Sequence, residues 1–160
     1  MVATFHKVSG GLAVLMIATF WLSTVASELV LGNTAIVTVK WLIPYGFLIL
    51  VPVMATAGAT GFRLAKGRNA GLIGAKRKRM PIIAANGLLV LMPSAFFLSA
   101  KAQAGSFDTT FYAVQILELL AGAANLTLLG LNIRDGRRMT AGRWRRAASS
   151  IGSARPGRAE

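Results

Sequence analysis

Between Arg63 and Arg79 the chain reads RLAKGRNAGLIGAKRKR, with seven basic residues and no acid. Long apolar runs flank it on both sides. Short loops rich in Lys and Arg stay on the cytoplasmic side of a membrane, so this stretch sets the expected direction of every other segment.

Four apolar segments follow from that division: residues 8–31, 35–62, 80–100 and 109–133. Each reaches the roughly 20 residues that a helix needs to cross a bilayer core. The expected fold class is all-α: a polytopic membrane protein, a four-transmembrane-helix bundle with both termini cytoplasmic, in a bacterial-type inner membrane. Residues 1–133 form the membrane domain and 63–79 a basic cytoplasmic loop. Residues 134–160 are expected to be a basic cytoplasmic tail, largely disordered, because it ends in the polar, Gly/Pro-broken SSIGSARPGRAE.

Composition agrees. The chain is 54% hydrophobic and 14% charged, whereas a soluble domain of 160 residues has a more polar surface. A net charge of +13 could point to nucleic acid. The basic residues instead cluster just outside the apolar runs, which is the positive-inside pattern, so no nucleic-acid partner is expected. The lack of cysteine excludes disulfides, a thiol nucleophile, cysteine-held iron–sulfur clusters and thioether-linked haem.

The first segment has a rival reading as a signal peptide, with Lys7 as the basic region and Val25-Ala26-Ser27 as the cleavage site. Its apolar run is longer than such peptides usually carry, so a retained helix is expected. In the second segment Trp41 and Tyr45 suit a membrane interface, and Pro44 and Pro52 are expected to kink the helix. Pro81 suits the first turn of the third helix. Gly46–Pro52 and Gly87–Pro93 share a short pattern, which a Leu/Val-rich composition explains without an inverted repeat.

Polar residues inside apolar segments are costly and point to candidate sites. Gln115, Glu118, Asn125 and Asn132 are spaced by three, seven and seven, so they share one helix face with Gly122. Glu118 lies about 13 Å from the nearer end of its segment at a 1.5 Å rise per residue. Lys40 is its expected cation, with Glu28 as competitor, giving an intramembrane cluster of Glu28, Lys40 and Glu118. Such a cluster can carry protons, hold a charged substrate or only fix helix packing. Asn86 and Asn125 are expected to bond across helices.

His6 is the only histidine. Haem b on His6 would need a second axial ligand from a methionine, a second copy or another chain. No metal site is expected, nor is there a Ser–His–Asp set or a phosphate loop between Gly67 and Gly74. Arg77, Lys78, Arg79, Arg143, Trp144, Arg145 and Arg146 are expected to contact anionic lipid or a partner.

Three functions compete at this point. The first is a non-enzymatic accessory or assembly subunit of a membrane complex, with a membrane-protein partner or as a homo-oligomer. The second is a small proton-coupled transporter using Glu118, Glu28 and Lys40. The third is a haem b or quinone-linked electron carrier using His6.

Overall fold

The computed structural model describes residues 1–65 and 71–153, the side chains of residues 140 and 142–153 excepted. The described chain is helical with no strand. Four helical segments are long and apolar enough to cross a membrane: Val2–Leu31, Asn33–Ala65, Gly71–Gln103 and Thr109–Met139.

The first segment is α1 (Val2–Ala26) and a π-helical turn, Ser27–Leu31. It stops at Gly32, whose φ of 77° is open to glycine but strained for other residues. The Gly32 carbonyl then accepts the first amides of α2 (Asn33–Ala65). α2 stays continuous through Pro44 and Pro52.

The third segment is built in two parts, α3 (Gly71–Asn86) and α4 (Met92–Gln103), joined by a π-helical turn at Gly87–Leu91. Pro93 explains the joint. It has no N–H for the Leu89 carbonyl four residues back, so the helix widens ahead of it and the Met92 amide bonds Gly87 O. The last helix, α5, runs Thr109–Ser153.

Several boundaries differ from those read in the sequence. The first helix begins at Val2, so His6 and Lys7 lie on it rather than before it. α3 starts at Gly71, which puts Lys76, Arg77, Lys78 and Arg79 on a helix instead of in a loop, and Pro81 in the helix interior. Charged residues were read as loop because hydropathy falls there, but nothing in GAKRKR breaks a helix. For the same reason the backbone of 134–153 continues α5, where a largely disordered tail was expected. Lys66 and Arg68 lie outside the described residues.

One end of the bundle carries the turn at Gly32 and the turn at 104–108; the other carries the basic residues. At the turn end, Asp108 caps α5 by accepting from the Phe111 amide at 2.9 Å and from Thr110 Oγ1 at 2.6 Å. Lys101 Nζ donates to the same carboxylate at 2.5 Å and holds the turn closed.

Apolar packing forms two clusters. Ile36, Leu98, Ala102 and Phe111 fill the turn end, and Ile17, Ile83 and Leu129 the middle. Rings of α1 lie against glycines of its neighbours: Phe20 on Gly46, His6 on Gly61 and Trp21 on Gly122. Small residues let helices approach closely. Outside, large apolar side chains such as Leu29, Val30, Leu48, Leu89 and Leu120 are exposed.

Candidate functional site

The stripe read on the last helix faces inward: Gln115, Glu118, Asn125 and Asn132 are all buried. It makes three polar rungs along α5. The rung nearest the turn end is the ion pair Lys40–Glu118, with Lys40 Nζ donating to Glu118 Oε2 at 2.5 Å. Lys40 is completely buried. A charge so far from water is tolerated only when paired.

Glu28 joins this rung from the π-helical turn. It is near enough to interact electrostatically with both Lys40 and Glu118. Its Oε1 is buried without a hydrogen-bond partner. Gln115, one turn beyond Glu118 on α5, is 3% exposed, and both of its amide atoms are also without a partner. The rung therefore has two carboxylates, one ammonium and unused hydrogen-bonding capacity.

The second rung is neutral. Asn86 Nδ2 donates to Asn125 Oδ1 at 3.0 Å and to Ala121 O at 2.9 Å. Asn125 Nδ2 lies 3.4 Å from Ile83 O. The third rung, at the basic end, is Arg79–Asp135, with Arg79 donating to Asp135 Oδ2 at 2.6 Å and reaching Asn132 Oδ1 at 3.5 Å. Asp135 is 1% exposed.

From the first rung past the second toward the basic end runs a cavity of about 440 Å³. All four segments wall it, and its lining is overwhelmingly apolar. Phe20, Trp21, Phe47 and Phe62 contribute rings, and Glu118 is the ionisable side chain that reaches it. Trp21 Nε1 is already committed to Leu119 O at 3.0 Å. The cavity opens sideways between α2 and α3, which touch little. Its lining residues there, Val51, Phe62 and Leu88, are 41%, 55% and 52% exposed. Volume and lining are those of a small-molecule pocket. The π-helical turns border both parts of the site: one carries Glu28, and the other lends Gly87, Leu88 and Leu91 to the wall. π-turns inside helices are often found at functional sites.

The other candidates lie apart. His6 Nδ1 sits 3.1 Å from Ala57 O and 3.3 Å from Thr60 Oγ1, which binds the ring to α2. Arg77 lies over the Phe62 ring at 5.9 Å, at the basic rim of the cavity. Lys78 is exposed, and Arg79 is taken up by Asp135. Arg143, Trp144, Arg145 and Arg146 fall among the residues whose side chains are outside the described set. Among the described residues no group of His, Cys, Asp and Glu is placed to hold a metal ion.

Two parts of this arrangement escaped the sequence reading. Asp135 continues the α5 stripe three residues past Asn132, so its inward face was legible had the stripe been carried on. The cavity had no signal in sequence, because it is a gap between helices. Comparison with family models, curated proteins and solved structures finds no match.

Proposed function

We propose that this chain is a four-span protein of a bacterial-type inner membrane, with both termini cytoplasmic, that works as a small carrier for a lipid-soluble molecule. The molecule passes from the bilayer through the gap between α2 and α3 into the cavity, and its polar end meets Glu118. One observation carries this reading: an apolar cavity, open to the side of the bundle, has a buried ion pair at its head. A side opening matters because a lipid-soluble molecule is concentrated in the bilayer rather than in water.

The exposed Leu and Val side chains around the bundle support the membrane placement, since soluble monomers rarely expose so much contiguous apolar surface. The basic residues at one end support the orientation, with that end in the cytoplasm. Reporter fusions at the 104–108 turn and after Ser153 test it; the first should read periplasmic and the second cytoplasmic.

Carrier activity is tested by flux into vesicles holding the purified protein. Gly58 lines the cavity, and a Cβ built there meets nothing within 4 Å. Gly58→Leu therefore adds bulk inside the cavity from a position with room for its Cβ. Flux present in the wild type and lost in this variant supports the reading, and equal flux in both refutes it.

The accessory-subunit reading is the second. It is favoured by α5, whose backbone stays helical from the end of its apolar segment at Ile133 to Ser153, through a stretch rich in arginine. A helical extension of this length supports docking to another subunit. Removal of residues 140–160 without loss of a co-purifying complex would count against it.

A further inference from the structure

Lys40, Glu28 and Glu118 come from three different segments and set two carboxylates against one ammonium. With both carboxylates ionised, one ammonium leaves one negative charge unmatched in a buried place. The unmatched capacity also shows in hydrogen bonding: Glu28 Oε1 and both amide atoms of Gln115 are buried and unpartnered. Gln115 is 3% exposed, one turn from Glu118 on the same face. A buried site with this deficit is completed by one positive charge.

The cavity says what kind of cation fits. Glu118 is the ionisable group in its wall, and on the Glu118 side the wall carries three aromatic rings, Phe20, Trp21 and Phe47, while Phe62 at the basic end already has Arg77 over it. Aromatic faces attract cations, more strongly where water is excluded. Thr24 and Asn125 are its other polar side chains, and the Asn125 amide is taken up by Asn86 and Ile83, so the remaining, largely apolar wall would not replace the water of a small inorganic ion. A compact, strongly hydrated cation would lose its water and gain one carboxylate. An organic cation with its charge spread over apolar groups keeps its own apolar shell against the wall and presents its charge to the carboxylate.

From this we propose that the cavity takes a monovalent lipophilic organic cation, with its charge on Glu118, and that Lys40 then turns to Glu28. The inference rests on the carrier reading and names its substrate class. Glu118 has Lys40 in the empty site, and Glu28 is close enough to interact with the same ammonium. Arrival of a second cation at Glu118 repels Lys40 toward Glu28, whose Oε1 is free to accept it. The two carboxylates then face two cations and the rung is neutral. An anionic or neutral lipophile gains nothing from this exchange.

The test uses the purified full chain in mild detergent, with tetraphenylphosphonium and tetraphenylborate as probes of like shape and opposite charge. Binding is read by equilibrium dialysis. The wild type should bind the cation at least tenfold more tightly than the anion. Glu118→Gln should lose that preference, and Glu28→Gln should weaken cation binding several-fold by removing the second seat for Lys40. Glu118→Gln leaves Lys40 with Glu28 as its partner, and the fully uncharged rung, Lys40→Met with Glu118→Gln and Glu28→Gln, is the second variant; it too should lose the preference. Equal binding of both probes, or a preference that survives in the uncharged variant, overturns the proposal. If Gly58→Leu still abolishes binding of both probes in that case, the cavity reading stands and only the cation assignment falls. If Gly58→Leu changes neither, both fall.

Discussion

Lys40 and Glu118, 78 positions apart in the chain, form an ion pair at 2.5 Å in which the lysine has no contact with the outside. The pair joins α2 to α5 and closes the head of the cavity. Its strength as a fastener and its cost are linked: each charge depends on the other to remain buried.

Removal of one partner should therefore be severe. Lys40→Met alone should cost about 3–5 kcal/mol, the usual penalty for leaving a buried charge unpaired, and Glu118→Gln less, because Glu28 is at hand to take the ammonium. The double variant should cost clearly less than the sum, because the second change removes a charge that the first leaves unpaired. Unfolding of the purified protein in graded mixtures of mild and denaturing detergent reads the difference. Additive losses would show that the two charges act independently.

The glycines separate packing from open space. A Cβ at Gly122 would stand 2.7 Å from Trp21 Cδ1, so Gly122→Ala must push a ring or a helix aside. A loss of about 1–3 kcal/mol is expected, as for other overpacked cores. Gly58→Ala meets nothing and should gain up to about 1 kcal/mol from helix propensity. Opposite signs for the two substitutions are the check; equal effects would contradict the packing described.

The amide rung is a modest fastener. Asn86→Ala should cost about 0.6 kcal/mol and not much above 1.7, the range for hydrogen bonds between membrane helices. A double-mutant cycle with Asn125→Ala should show coupling, since Asn86 donates to Asn125 Oδ1 at 3.0 Å. Zero coupling would mean that the two side chains do not meet.

How much of this could be read beforehand depends on the scale of the signal. The four apolar segments were legible, because a run of about 20 apolar residues has few other uses. The pairing of Lys40 with Glu118 and of Asn86 with Asn125 followed from depth and from the helical period of α5. Helix ends were not legible. α3 begins at Gly71 and α5 runs to Ser153, yet the charged turns between look like loop to any hydropathy scale. Nor was the Arg79–Asp135 rung seen, because Asp135 sits beside basic residues that suggested a solvated tail. The cavity depends on the spacing of helices, which local periodicity does not encode.

At the turn end, pH gives an independent handle. Hydrogen bonds from Lys101, Thr110 and the Phe111 amide hold the Asp108 carboxyl well below the usual carboxylate range. Its contribution is thus fully present above the unfolded value near 3.8, and is lost only as pH falls through the depressed folded value. Asp108→Ala should lower the melting temperature at neutral pH, and Asp108→Asn less, since Asn still caps. The gap between wild type and Asp108→Ala should narrow in strong acid. A gap that persists unchanged there would show that the carboxylate charge plays no part.

The central claim is that the bundle holds a lipid-soluble molecule in its cavity, and native mass spectrometry of gently extracted protein tests it most directly. The account predicts the 16.9 kDa chain carrying one small organic adduct, which is absent from Gly58→Leu. An adduct that persists in Gly58→Leu, or a chain bound only to foreign subunits, would contradict it.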